Sequence, residues 1–177
     1  MIINPQQIIT DFCLALYKQY KIQLHQNSIQ HQFIAPPHSG LRLPKGQCAC
    51  YVFSLTGNSN PPAGPNKVLK VGRIGPNSAT RFISQHYNPD SAGSNLAGAI
   101  ANNRLLWDYI GLAGPLTDYG QWINSKTDRD HFFLNAQNNN LLPFLEVYLK
   151  AICGPVFEGS MKKLNNKSNL FSNNSSY

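Results

Sequence analysis

Carboxylates are scarce in this 177-residue chain. Asp11, Asp90, Asp108, Asp118, Asp128, Asp130, Glu146 and Glu158 are the full set, against 15 lysines and arginines. No acid falls between Asp11 and Asp90, whereas that interval holds Lys18, Lys21, Arg42, Lys45, Lys67, Lys70, Arg73 and Arg81. Residues 12–89 therefore carry +8 and the rest of the chain −1, within a formal net charge of +7. Such an asymmetry favours an acidic small molecule or an acidic polymer as partner. It also leaves few acids from which to build a multi-carboxylate metal cage. Cysteine adds no zinc site, because Cys48 and Cys50 enclose one residue rather than the roughly two to four of zinc-binding pairs. Cys13 and Cys153 lie in apolar contexts and read as core residues. Four plain thiols in a reducing cytoplasm are expected. His25, His31 and His38 are spaced too widely to share a helix face and are expected in loops or at the surface.

The elements that must position chemistry follow from periodicity. Asn4-Pro5 reads as an N-cap with proline at the first helical position. Ile8, Ile9, Phe12, Cys13, Leu16 and Tyr20 then recur at helical spacing, which predicts an amphipathic helix over 5–20. Residues 25–46 carry Pro36, Pro37, Gly40, Pro44 and Gly46 and read as a long connection, with a short strand near Gln32–Ala35. Residues 48–55 and 67–73 are rich in strand formers, and the Gly, Asn, Ser and Pro between them predict a hairpin with a long loop. A short helix over 76–87 opens at Pro76, and a further helix runs from a Ser94 cap to about Asn103. Residues 111–119 break the pattern, Asp130–Leu134 reads as a third strand, and Leu141, Leu145, Tyr148, Leu149 and Ile152 mark a helix over 141–152.

The chain thus reads as an α+β protein in three parts. Residues 1–45 are an N-terminal helix and Pro-rich connection, 46–159 the main domain, and 160–177 a polar, Asn/Ser-rich tail expected to be disordered. No stretch approaches the roughly 20 apolar residues of a transmembrane helix. The N-terminus has no basic region before an apolar core, so no signal peptide is expected.

The order of certain residues is more informative than any single motif. A strand containing Tyr51 is followed by a strand with Lys70-Val71-Gly72, then a helix with Arg81, and much later a helix with Glu146. This order resembles the GIY-YIG nuclease family. There, two short antiparallel strands carry the name tripeptides, a helix presents an arginine, and a later helix presents a metal-binding glutamate. Ala49-Cys50-Tyr51 stands where the first tripeptide would be, and Lys70-Val71-Gly72 where the second would be. Arg81 matches the arginine, eleven residues after Lys70, and Glu146 matches the glutamate. The resemblance covers about residues 46–159. The phrase Lys70-Val71-Gly72-Arg73-Ile74-Gly75-Pro76-Asn77-Ser78 also looks like small stand-alone bacterial members. The first tripeptide keeps only its tyrosine, the second has lysine for tyrosine, and Glu158 stands where the family often has asparagine.

The resemblance implies a small three-stranded antiparallel sheet flanked by helices, with an added N-terminal helix. It implies a metal-dependent endonuclease that hydrolyses phosphodiester bonds in DNA with Mg²⁺, or Mn²⁺ in its place. Glu146 would be the metal ligand, and one carboxylate suffices because Mg²⁺ completes its octahedron with water and phosphate oxygens. Tyr51 would act as general base, its phenol favoured as phenolate by the Lys70 ammonium. Arg81 would steady the scissile phosphate with its planar fork. His86 would add a phosphate contact or move a proton, Arg73 would contact the backbone phosphate, and Glu158 would support the metal. The alternative is a non-catalytic nucleic-acid-binding protein with the same fold and a degenerate site. A basic structural or partner-binding protein is the third reading.

Overall fold

The computed structural model describes residues 4–57, 67–78 and 83–157. The first helix, α1 (Pro5–Tyr20), starts where Asn4 accepts a hydrogen bond from the Gln7 amide and ends at Lys21 in the left-handed conformation. Four strands follow in chain order: β1 (Ile29–Ile34), β2 (Gln47–Leu55), β3 (Val68–Ile74) and β4 (Thr127–Asn135). Between β3 and β4 come α2 (Leu96–Asn102), α3 (Trp107–Ile110) and α4 (Tyr119–Lys126), and α5 (Leu142–Cys153) follows β4. Among the described residues, no helix is long and apolar enough to cross a membrane.

All strand pairs are antiparallel, in the order β1-β4-β2-β3. The sheet thus has four strands where three were expected. β1 is the addition, pairing Ile29 with Leu134 through Ile34 with Arg129. It overlaps the short strand expected near Gln32–Ala35 but starts three residues earlier, and only Ile29 of its six residues is buried. β4 extends the expected 130–134 run in both directions, and α4 was not expected at all. The N-cap of α2 is Asn95, not Ser94; its side chain accepts from the Gly98 amide and donates to the Ser91 carbonyl.

The sheet lies between two helical layers. Alternation along β2 sends Cys48, Cys50 and Val52 towards α1 and α5, where Phe12, Leu16, Leu145 and Leu149 meet them. Ala49, Tyr51, Phe53 and Leu55 point the other way, against Leu96, Ile100, Trp107 and Ile123 of α2, α3 and α4. All four cysteines are free and buried.

β2 and β3 pair with Tyr51 opposite Gly72. A Cβ at position 72 would lie inside the Tyr51 phenol, so glycine is what lets that ring cross the edge strand. Gly72→Ala is therefore expected to destabilise the fold by about 1–3 kcal/mol. In a Tyr51→Ala background most of that loss should vanish, a coupling of at least about 1 kcal/mol in a double-mutant cycle by urea denaturation. Additive losses would show that the ring does not rest on Gly72.

Candidate functional site

Three of the residues singled out in the sequence meet on the α2–α4 face. Tyr51, Lys70 and His86 are 1%, 3% and 1% exposed. The Tyr51 and His86 rings meet edge-on, centroids 4.7 Å apart, and Phe53 lies 5.3 Å from His86. Lys70 pairs with Phe53 across β2 and β3, and its Nζ donates to Ser94 Oγ at 2.8 Å. His86 sits in a short turn, Gln85–Tyr87, and its Nδ1 accepts the Leu96 amide at 3.2 Å. This imidazole therefore serves one of the unsatisfied amides at the start of α2.

A second group on this face escaped sequence reasoning. Arg129 of β4 lies opposite Phe53, its guanidinium 4.9 Å above that ring. Its Nη1 donates to the Tyr87 hydroxyl at 2.7 Å and to the Ser39 carbonyl at 3.3 Å. His38 Nε2 donates to the Thr127 carbonyl at 2.8 Å, which leaves Nδ1 to accept the Tyr87 hydroxyl at 2.9 Å. His38 lies in a loop, one of the two expected positions, but is only 4% exposed. Burial, reinforced by the Arg129 charge, pushes its pKa down to about 4. Burial likewise lowers His131 to about 2, with Arg129 adding to the effect. The signal available in the sequence was the run Asp128-Arg129-Asp130-His131, four ionisable residues inside a strand.

Glu146 belongs to the other face. Its Oε2 accepts from Arg73 Nε and its Oε1 from Lys150 Nζ, both at 3.1 Å. The Glu146 side chain is 19% exposed, those of Arg73 and Lys150 44% and 28%. Arg73 pairs with Cys50 across β2 and β3, so this cluster stands on the α1–α5 side. Burial pushes the Cys50 thiol well up, and the Glu146 charge adds to that. Beside the cluster lies a groove of about 700 Å³ lined by Arg73, Gly75, Ser78, Gln85, Asn139 and Asn140, among others. Arg81 and Glu158 lie outside the described residues. Ser78 and Gln85, which flank Arg81 in the chain, both line the groove.

The fold thus gathers Tyr51, Lys70 and His86 on one face of the sheet and Arg73 with Glu146 on the other. β3 supplies residues to both sets. Among the described residues, no group of three or more His, Cys, Asp or Glu could hold a metal ion. Glu146 is a single hard carboxylate, a ligand type that suits Mg²⁺ better than a softer ion, but both its oxygens are engaged by cations and it is not among the residues that line the groove. Set against known protein families, curated proteins and solved structures, the chain matches none.

The two depressed histidines set a pH dependence. Below about pH 6.5 the unfolded chain takes up protons that folded His38 and His131 refuse. Stability is therefore full above that pH and falls as pH drops towards 4, by up to about 1.4 kcal/mol per pH unit for each histidine. Urea denaturation at pH 7.5, 6 and 5 measures the slope. His38→Gln should flatten it, and an unchanged slope would exclude His38 as a source.

Proposed function

We propose that this chain is a metal-dependent endonuclease of GIY-YIG type that acts on DNA, with its phosphate site in the groove beside Arg73. The observation that carries the reading is the Arg73–Glu146–Lys150 cluster, which sets one carboxylate beside two cations and whose Arg73 lines that groove. Mg²⁺, when bound, supplies Lewis-acid stabilisation of the phosphate and leaving oxygens. Glu146 would hold it from a helix anchored in the core by Leu145 and Leu149. Arg73 offers a guanidinium to the phosphate oxygens, and Arg81, which lies outside the described residues, keeps the phosphate-steadying role that the resemblance implies. The basic stretch over 12–89 draws the polyanion in. Tyr51 and Lys70 reach this site through β3. The phenol lies over Gly72, and the ammonium is tied to Ser94, so together they steady the strand that carries Arg73.

One observation favours a second reading, in which the protein binds nucleic acid without cutting it. Tyr51 and Lys70 are buried on the face opposite Glu146, and the groove's described lining holds no phenol to activate water. Plasmid nicking separates the two. The endonuclease reading expects Mg²⁺-dependent nicking that Glu146→Ala and Arg81→Ala each reduce by about 10²-fold or more. Because Tyr51 is buried on the face opposite Glu146, this reading sets aside the general-base role expected for its hydroxyl, and Tyr51→Phe should keep the rate within a few-fold. Full activity in both the Glu146 and Arg81 variants would sink the mechanism. Salt-dependent DNA binding with no cleavage under Mg²⁺ or Mn²⁺ would establish the second reading.

A further inference from the structure

We infer that the groove between α1 and α5 is a docking face for a second copy of this chain, which pairs with it about a two-fold axis. The inference goes beyond the nuclease reading and does not depend on it. The groove has a volume of about 780 Å³, with Ala15 and Tyr20 on one wall and Phe144, Val147, Tyr148 and Ala151 on the other. Aromatic contacts between the two helices fix its shape. The Phe12 and Tyr148 rings lie 5.5 Å apart, and Tyr20 meets Phe144 edge-on at 5.2 Å. Yet Tyr20 and Val147 remain 55% and 65% exposed, and Ala15 and Ala151 are exposed as well. Contiguous apolar surface marks an interaction site, where apolar residues scattered singly do not.

The charges beside the groove identify its occupant. Asp11, Leu14, Ala15 and Lys18 fall at i, i+3, i+4 and i+7 of α1 and so form one stripe of that helix. Lys18 is the one charged residue in the described lining. Asp11 stands close to Tyr148 on the opposite wall: burial raises the pKa of that phenol, and the Asp11 charge adds to the rise. Both charged residues are exposed, and they lie two helical turns, about 10 Å, apart. Asp11 accepts from Gln7 Nε2 at 2.9 Å, a neutral donor that leaves its charge in place. A two-fold axis passing between Leu14 and Ala15 sets α1 antiparallel to its copy. Each Asp11 then faces Lys18 of the other copy, the reciprocal pairing of an isologous contact. Ala15 is small enough to let the two helices approach at the axis, and Leu14, 46% exposed, is covered there. A stripe with one charge of each sign suits neither a polyanion nor an anionic membrane, since both select for cations. Helices of 16 and 12 residues set about 10 Å apart present a face of roughly 20 by 20 Å. That approaches the roughly 500 Å² per partner at which specific interfaces begin, so a dimer of about micromolar affinity is expected.

Sedimentation velocity on the full chain tests this, in about 0.1 M sodium chloride so that exposed ion pairs are not fully screened. The wild type should pass from monomer to dimer mass between about 1 and 100 µM. Val147→Glu, which puts a charge into the groove, should weaken self-association by at least about tenfold. Asp11→Lys and Lys18→Asp should each weaken it by about tenfold, because each turns two attractions into two repulsions. An equimolar mixture of these two variants should recover the wild-type dimer, since every contact between them again joins opposite charges. All three substitutions are at exposed positions, and unchanged urea midpoints show that each variant is folded. A wild type that stays monomeric at about 100 µM would overturn the inference. So would a dimer indifferent to Val147→Glu, or charge variants that fail to rescue each other. A monomeric wild type that binds an anilinonaphthalene sulfonate dye, and loses it with Val147→Glu, would assign the groove to another apolar occupant instead.

Discussion

The fold depends on how β4 disposes of four consecutive ionisable side chains. Asp128, Arg129, Asp130 and His131 are all buried, in a strand with neighbours on both sides. Buried charge is destabilising unless it is paired and hydrogen-bonded, so the elements around β4 have to answer each one. Strand alternation first sorts them by face. Arg129 and His131 go to the layer of α2, α3 and α4, while Asp128 and Asp130 go to the layer of α1 and α5. His31 of β1 then meets Asp130 at 2.8 Å. From the opposite side, Ser39 and Tyr87 meet Arg129. The added strand thus accommodates Asp130, and the Pro-rich connection together with Tyr87 accommodates Arg129.

This sorting shapes the functional surface as well. One face of the sheet gathers Arg129, Lys70 and two phenols, and its histidines His38 and His131 are kept neutral by burial and by that same cationic neighbour. The other face holds Asp128, Asp130 and Glu146. The edge strand β3 is where the two environments come within one residue of each other, with Gly72 under Tyr51 and Arg73 bound to Glu146. At that edge Arg73 is the more exposed member of its pair with Glu146, and Lys70 is buried on the opposite face.

Much of the scaffold was legible in the residues. Asn4-Pro5 fixed the start of α1, the apolar spacing over 141–152 located α5 to within a residue, and the strand-forming runs found β2 and β3. What escaped has physical reasons. β1 buries only Ile29, so the residues suggested a short strand near Gln32–Ala35 but neither its start at Ile29 nor its place in the sheet. α4 is short and only Ile123 of it is buried. The Arg129–Tyr87–His38 network joins residues 42 and 49 positions apart, and no local spacing encodes such a meeting. The site residues were chosen by their order along the chain, which brought Tyr51 to His86 and Arg73 to Glu146. Order does not say which helical layer covers which face, and so it could not tell that Tyr51 and Glu146 look away from each other.

The thiols give the molecule an internal reporter. Cys13, Cys48, Cys50 and Cys153 all belong to the core between the sheet and the α1–α5 layer. Burial raises every one of their pKa values, Cys153 to about 11, so little nucleophilic thiolate exists in the folded state. A thiol-modifying reagent would therefore find the native chain nearly inert. The rate at which each cysteine is captured would record how often that one layer parts from the sheet, and the layer over Tyr51 and Arg129 could open unseen.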